Sequence, residues 1–301
     1  MSDTPLLPHD PGRAAVAADT GLFGPGSVTW RVHAEPILVL GGLRALFLQA
    51  LHPRAMAGVA QNSRYQDDPW GRLVRTADFV GTTIFGTTAQ AEEAGRRVRA
   101  IHARLTATDP FTGERFRVDD PDLLRWVHVT EVDSYAETAR RAGVRLGAAQ
   151  WDEYWDEQRR AAALVGLDPA TVPGSTVEAA GYYRAVRPGL RMTRDAAGTL
   201  AFLATPPPPW RAGGRRALVK RLGRPPFRLA ALGVAMTAFG LLPPWARRLY
   251  GSPGLPTTDL AASLSARSLR LALAALPHRV YEGPLYRDAM ARAAALSPSP
   301  S

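Results

Sequence analysis

The chain has 301 residues, of which 46% are hydrophobic and 21% are charged, and its formal net charge is +10. This length and composition allow one large buried core and exclude a disordered or fibrous protein. The sequence has no cysteine. Disulfide bonds, thiolate ligands and a cysteine nucleophile are therefore excluded, and a metal must be held by histidine, carboxylate or another non-thiol group.

The positive charge raises the question of a nucleic-acid partner, because Lys and Arg side chains that neutralise phosphates supply most non-specific affinity. Lys220 is the only lysine, and the arginines are spread along the chain, often near acidic residues. Nucleic-acid binding is not predicted, since a basic footprint should be clustered on one face. One basic segment favours a solvated charged face, with weak contact to an anionic membrane surface or to another acidic partner as the alternative. It contains Arg211, Arg215, Arg216, Lys220, Arg221 and Arg224.

The ends of the chain differ in composition from its centre. Residues 1–27 are rich in proline, glycine and small residues, which predicts a flexible arm in front of a single domain over 28–297. The tail 298–301 is predicted to be disordered. The first residues lack both a basic region and a continuous apolar stretch, so they are not predicted to be a secretory signal, and we expect a cytoplasmic protein.

Four helices are predicted in the part of the chain that carries the candidate histidines. The apolar stretch 37–51 predicts a buried helix that ends at His52, because Pro53 follows. Two Asp-Pro pairs then predict helices over about 69–85 and from 121 to a stop at Gly143, since the carboxylate caps free amides and proline suits the first helical position.

The fourth helix lies between these two and is predicted to run from a Thr88 cap to about Leu105. Its apolar stripe contains Ala91, Gly95, Val98, His102 and Leu105, at steps of three and four residues. His102 is therefore expected to point inward. His128 has a similar place on the apolar side of the helix that begins at 121.

The remainder of the chain continues the helical pattern. Helices are predicted over 151–167, after the capping box that begins at Ser175, and over 227–242, 259–275 and 284–296. Strand-like alternation is scarce, so the sequence predicts an all-α fold with a single helical domain. The stretch 227–242 is the most apolar, but its uncharged core is shorter than a membrane span, which favours a buried helix over interfacial membrane contact.

The candidates for chemistry are histidines. A glycine-rich phosphate loop, a His-Glu-x-x-His zinc helix and a nucleophile elbow are all missing, and His33, His52, His102 and His128 are the informative positions. A neutral imidazole on a helix can coordinate haem iron while the porphyrin lies against apolar side chains. His102 fits this requirement by position. The alternative, which periodicity alone favours, is a core histidine that forms hydrogen bonds within the protein.

A second polar set lies on the preceding helix, where Arg72, Arg75, Thr76 and Phe79 share one face. Arginine keeps its charge and holds planar donors in a fixed fork, so this face suits haem propionates or iron-bound dioxygen. A solvated charged face is the alternative.

An ordered set of short segments resembles a known family. The segments are Gly41-Gly42-Leu43-Arg44-Ala45-Leu46, Leu48-Gln49, His52-Pro53, Gly58-Val59, Asp68-Pro69 through Arg72-Leu73 and Arg75-Thr76, Phe85-Gly86, Val98, His102, and 120–128. No single segment is specific. In this order and spacing, from about Val28 to Pro244, they resemble the bacterial DUF2236 family, also called the MpaB or rubber-oxygenase (latex clearing protein) catalytic-domain family.

The resemblance implies a mostly helical, globin-like arrangement around haem b. His102 matches the proximal iron ligand of the family. His52 and His128 match other histidine positions in its pattern, so we expect them to form the pocket or to orient their neighbours, with either as the fallback ligand.

The resemblance also implies roles for the arginine face. The Arg-x-x-Lys-Thr element of the rubber-cleaving relatives corresponds to Arg72, Arg75 and Thr76, so Arg75 replaces the lysine that can serve as a distal ligand. Because a guanidinium has no free lone pair, we expect Arg75 and Thr76 to act as a distal catalytic pair beside an open sixth position, with Arg72 binding the haem. The relatives carry a carboxylate base shortly before this element, whereas 53–66 contains no Asp or Glu, so rubber-type cleavage does not carry over.

The sequence therefore predicts a haem-b-dependent oxygenase or peroxygenase that acts on a hydrophobic small molecule or natural-product intermediate, with dioxygen or peroxide. One alternative is a non-catalytic haem sensor or carrier with both axial positions filled. Another is a haem-free helical protein that interacts with a membrane surface through its basic segment.

Overall fold

The computed structural model describes residues 19–63, 68–209, 224–277, 279 and 281–296. These residues form an all-α fold with one small hairpin. The helices are α1 (Val28–His33), α2 (Leu38–Gln49), α3 (Pro53–Asn62), α4 (Pro69–Phe85), α5 (Thr88–His102), α6 (Pro121–Arg141), α7 (Ala148–Leu164), α8 (Thr176–Val186), α9 (Arg194–Ala204), α10 (Arg224–Gly240), α11 (Pro244–Leu249), α12 (Thr258–Ala274) and α13 (Pro284–Leu296). Short 3₁₀ turns occupy Pro169–Thr171 and Arg187–Gly189.

The centre of the fold is the pair α2 and α6, which form the most extensive helix–helix contact. Gly41 of α2 allows the close approach, because a Cβ there would lie 2.9 Å from Tyr135 Cδ1 and 3.1 Å from the Ser134 carbonyl oxygen. Phe47 and Trp126 are fully buried on the facing helices and belong to the main hydrophobic core. Large apolar side chains on closely packed helices supply the main favourable free energy of such a core.

Arg44 is the buried charge within this pair. Its guanidinium donates to Asp133 at 2.9 Å, to the Ser134 hydroxyl at 2.8 Å and to the Leu241 carbonyl at 3.0 Å. A buried arginine is tolerated when its donors are all bonded in this way. The bonds also connect α2 and α6 to the turn that follows α10.

The first predicted helix ends earlier than expected. The apolar stretch was expected to form one helix up to His52, but α2 ends at Gln49 and a separate helix, α3, begins at Pro53. Proline lacks an amide hydrogen, so it fits the first turn of a helix as well as it ends the preceding one. His52 caps α3, since its Nδ1 accepts a hydrogen bond from the Ala55 amide at 3.3 Å.

Helices α4 and α5 form a hairpin with defined caps. The Asp68 carboxylate accepts from the Gly71 amide at 3.0 Å, and α4 has the predicted bounds. The cap of α5 is Thr87, in a capping box with Gln90, and not Thr88 as predicted. Thr88 instead donates its amide and hydroxyl to the Asp19 carboxylate, at 2.7 and 2.8 Å. Helix α5 ends at His102.

A short antiparallel hairpin follows α5. Strand β1 (Thr106–Thr108) pairs with β2 (Arg115–Arg117), and Ala107 lies opposite Phe116. The side chains of these two residues are buried in a small cluster with Ala57. The hairpin thus positions the end of α5 beside α3 and the beginning of α6.

The C-terminal helices close the other side of the fold. α10 packs on α2 and α12, and α13 packs on α4. No helix in the described part of the chain is long and apolar enough to span a membrane. Five residues of the predicted basic segment and the tail 298–301 lie outside the described residues, and of Arg224 only the backbone is described.

Candidate functional site

His102 is the last residue of α5, and its side chain is half-buried. Its Nδ1 is buried without a hydrogen-bond partner among the described residues. Burial lowers the pKa of this imidazole, and the nearby Asp119 carboxylate opposes that shift only in part. The ring is therefore neutral at physiological pH, which is the form that binds a metal ion.

His128, on α6, is a second imidazole with an unpaired ring nitrogen. Its side chain is 9% exposed, and its Nε2 is buried without a hydrogen-bond partner among the described residues. Burial lowers its pKa to about 4. His128 is thus a neutral buried ring with a free nitrogen.

The unpaired ring nitrogens of His102 and His128 are the features that suggest a bound ligand. Buried polar atoms in folded proteins are almost always hydrogen-bonded, so an unpaired ring nitrogen calls for a water molecule or a ligand. Three or more metal-ligating side chains do not come together anywhere in the described ranges. A haem needs only one axial ligand from the protein, so a single free imidazole fits it.

His52 has a structural partner that the other two lack. Its Nδ1 is engaged as the cap of α3, and its ring lies 5.9 Å from that of Trp126. Burial and the Arg54 cation lower the pKa of His52, while Asp120 raises it. His52 therefore holds the beginning of α3 against α6, which suits a pocket-forming residue better than an iron ligand.

The predicted arginine face of α4 is largely open to solvent. Arg75 forms an exposed ion pair with Asp68 at 3.1 Å, and the Thr76 hydroxyl donates to the Arg72 carbonyl at 3.0 Å. The Arg72 guanidinium donates to the Ser63 hydroxyl. These contacts tie Arg75 and Thr76 to the first turns of α4 and join Arg72 to the end of α3, and among the described residues neither Arg75 nor Thr76 forms a hydrogen bond or ion pair with His102.

The same half of α4 leaves apolar side chains uncovered. Leu73 is 36% exposed and Val74 is 56% exposed, whereas Ile84 and Phe85 at the other end of the helix are buried. Trp70 donates to the Pro207 carbonyl at 2.9 Å, so residues after α9 contact the first turn of α4. The uncovered surface is the part of α4 that carries the predicted site.

A buried titratable cluster was not predicted from the sequence. Tyr154 and His33 share a hydrogen bond of 3.1 Å, and the His33 ring lies 4.9 Å from the ring of Tyr135. Glu131 lies one turn before Tyr135 and one turn after His128 on α6. Burial raises the pKa of Glu131 to about 7, and no hydrogen bond from the described residues stabilises its charge. The sequence feature that could have revealed this cluster is the position of an acid, Glu131, within the apolar stripe of a predicted helix.

The fold and the site define an all-α domain with a neutral, unpaired imidazole at the end of one helix. Residues 30–276 match the family described as ER-bound oxygenase mpaB/B′/Rubber oxygenase, catalytic domain. The chain belongs to this family of oxygenase catalytic domains, and the resemblance seen in the sequence is confirmed. No curated protein and no solved structure matches the chain.

Proposed function

We propose that the protein is a haem-b-dependent oxygenase, with His102 as the iron ligand, that acts on a hydrophobic small molecule or natural-product intermediate. The observation that carries this proposal is the half-buried, neutral imidazole of His102, whose Nδ1 is buried and unpaired, at the ligand position that the family resemblance implies within an oxygenase catalytic domain. A bound haem would supply the iron that activates dioxygen or peroxide.

The protein's own residues would bind the haem and orient the groups around it. Arg72 supplies a cation for a propionate, and the free ring nitrogen of His128 supplies a second polar contact deeper in the fold. Arg75 is held by Asp68 only in an exposed ion pair, which contributes little free energy. Its guanidinium can therefore exchange that carboxylate for an anionic or oxygen-bearing group, with Thr76 beside it on the same face.

The uncovered apolar side chains support the choice of substrate class. Leu73 and Val74 are apolar and accessible on the helix that carries Arg75. A planar apolar cofactor or substrate would remove this surface from water, at a gain of roughly 25 cal/mol per Å². Rubber-type cleavage is not part of the proposal, since 53–66 has no carboxylate.

The proposal predicts different outcomes for the two unpaired histidines. His102→Ala should lose the haem Soret absorption and the bound iron, because the iron ligand is removed, whereas His128→Ala should keep at least part of both. The measurement is the visible spectrum and the haem-to-protein ratio after expression with added haem precursor. His128→Ala is the matched control, since it also removes a buried unpaired imidazole.

Two further measurements on His102→Ala guard against a folding artefact, and a third, on the wild type, tests whether a gas can bind the iron. Far-UV circular dichroism should show His102→Ala to be helical, and added imidazole should restore part of its Soret band by filling the vacated ligand position. Reduced wild-type protein should shift its Soret band with carbon monoxide, since an open sixth position binds the gas. An unchanged Soret band and haem ratio in His102→Ala would show the ligand assignment to be wrong.

A further inference from the structure

An open cleft of about 770 Å³ lies on the side of α6 that faces α8, α11 and α12. Its volume falls within the range of small-molecule sites, roughly 300–1,000 Å³. The residues proposed above to hold haem are not among the residues that line it. Asp133 and Glu137, which do line it, are on the opposite side of α6 from Glu131 and Tyr135, because residues two apart on a helix face away from each other.

The three carboxylates that line the cleft are all engaged by arginine. Asp133 is bonded to Arg44 at 2.9 Å, and Glu137 is bonded to Arg140 at 2.8 Å. The third carboxylate, Asp259, accepts from Arg141 at 3.3 Å and from Arg247 at 3.0 Å through both of its oxygens. The acidic groups of the cleft are therefore already neutralised.

Two arginines in the cleft have no such partner. Arg187 and Arg267 line it, and neither forms an ion pair with a carboxylate among the described residues. The Arg187 side chain is exposed at the edge of the cleft, and partial desolvation, followed by the neighbouring Arg184 and Arg248 cations, lowers its pKa. Like charges placed together without a counter-ion are unfavourable, and an anion would relieve that repulsion.

Aromatic side chains form the wall beside Arg187. The Arg187 guanidinium lies 4.7 Å above the ring of Trp245, which in turn lies 5.6 Å from the ring of Tyr183. Stacking on a ring holds a guanidinium in one plane and leaves its N–H edge free for a planar anion. The cleft thus combines a cation with an aromatic surface.

Tyr183 adds a hydrogen-bond donor. Its side chain is only 7% exposed, and its hydroxyl is buried close to the Asp133 carboxylate. Burial, and then that carboxylate, raise the pKa of Tyr183, so its hydroxyl keeps its proton. Tyr183 can therefore donate this proton to a ligand oxygen in the cleft.

We propose that this cleft binds an organic carboxylate with an aromatic or apolar body. Arg187 binds the carboxylate, Tyr183 donates a second hydrogen bond to it, and Trp155 and Trp245 contact the apolar part. The site does not depend on the haem proposal, because it is built from different residues.

The test uses 1-naphthoate as the probe and the full-length protein. Titration followed by the probe's fluorescence and by calorimetry should show saturable binding at one site. The neutral isostere 1-naphthamide should bind at least 10-fold more weakly, because it lacks the charge that Arg187 recognises. Inorganic phosphate should compete poorly, because it has no apolar body. Binding should also weaken as salt is raised, since salt screens the arginine charge.

Substitutions in the cleft test which residues bind 1-naphthoate. Arg187→Gln should weaken 1-naphthoate binding at least 10-fold, and Tyr183→Phe should weaken it several-fold while keeping the ring. Arg97→Gln removes an exposed arginine on α5 and is the matched control, which should bind as the wild type does. Thermal melting of each variant shows whether it is folded. No saturable binding of 1-naphthoate up to about 10 mM, equal affinity for 1-naphthamide, or an unchanged affinity in Arg187→Gln would overturn the proposal.

Discussion

Glu131 shows how burial alone can make one side chain sensitive to pH. Its carboxyl lies near Tyr135 of α6 and Tyr154 of α7, both of which contact His33 of α1, and none of these three is a cation at neutral pH. Burial lowers the pKa of His33 to about 3, so that ring stays neutral. Ionised Glu131 therefore has no counter-charge, and its protonated form is favoured in the folded state.

This environment gives a signed prediction for stability. The folded-state pKa of Glu131, about 7, lies above the ordinary value of 4.5, so the unfolded chain loses this proton first as the pH rises. The free energy of unfolding must then fall between about pH 4.5 and pH 7. Glu131→Gln, which cannot ionise, should be more stable than the wild type by about 1–3 kcal/mol at pH 8 and nearly equal to it at pH 4.

Urea unfolding of both proteins at pH 4 and pH 8 measures this difference. Comparing the two proteins at each pH removes the opposite contribution of His33 and His128, whose lowered pKa values cost stability as the pH falls. Glu114→Gln, at an exposed position on the hairpin, is the control and should show no pH-dependent gain. If the free energies of unfolding of Glu131→Gln and the wild type differ by the same amount at both pH values, burial does not raise the pKa of Glu131.

Adjacent glycines in α2 separate two effects at the scale of helices. A Cβ at Gly41 would lie 2.9 Å from Tyr135, whereas a Cβ at Gly42 would meet nothing within 4 Å. Gly41→Ala should therefore lower the free energy of unfolding by about 1–3 kcal/mol, because it forces α2 away from α6. Gly42→Ala should leave it unchanged or raise it by about 0.5–1 kcal/mol, because alanine favours the helix.

Chemical denaturation of the two variants measures this contrast. Both changes add one methyl group to the same helix, so each controls for the helix propensity of the other. A similar change in stability for the two variants would show that α2 and α6 do not pack as closely as the structure has them.

The same scale shows what the sequence could predict. Helices α4 and α13 have the predicted bounds, because a proline marks the first turn of each. The end of α2 was predicted at His52 and lies at Gln49, and α3 was not predicted, because Pro53 marks the end of one helix as readily as the start of another. The cap of α5 was placed one residue late, because two threonines are adjacent and only the structure shows which hydroxyl accepts from Gln90.

Contacts between distant parts of the chain account for what was missed in the site. His33 and Tyr154 are 121 residues apart, so no local pattern could show that they meet beside Glu131. The cleft lined by Arg187 was missed for the same reason, because its residues Tyr183 and Trp245 come from separate helices. His102 was predicted as a ligand from its apolar stripe and the family resemblance together, because the stripe alone favours a core residue.

At the scale of the whole molecule, one carboxylate joins the last third of the chain to the central helix. Asp259 of α12 accepts from Arg141 of α6 and from Arg247 of α11, and Arg247 also donates to the Gly240 and Leu242 carbonyls. The side chain of Arg247 is only 3% exposed, whereas that of Asp259 is 50% exposed. The buried charges are therefore those of the two arginines, and Asp259 compensates them. The Asp259 carboxylate is itself half-exposed and can be solvated by water.

Asp259→Asn should accordingly lower the free energy of unfolding by about 2–4 kcal/mol, since removal of one partner leaves a buried charge uncompensated. Urea denaturation measures the loss, and limited proteolysis should show earlier cleavage after α10, because α11 and α12 lose their tie to α6. Glu93→Gln breaks the exposed pairs with Arg96 and Arg97 and is the control, with an expected change below about 0.5 kcal/mol. Equal losses for the two variants would mean that the C-terminal helices are held by apolar packing alone.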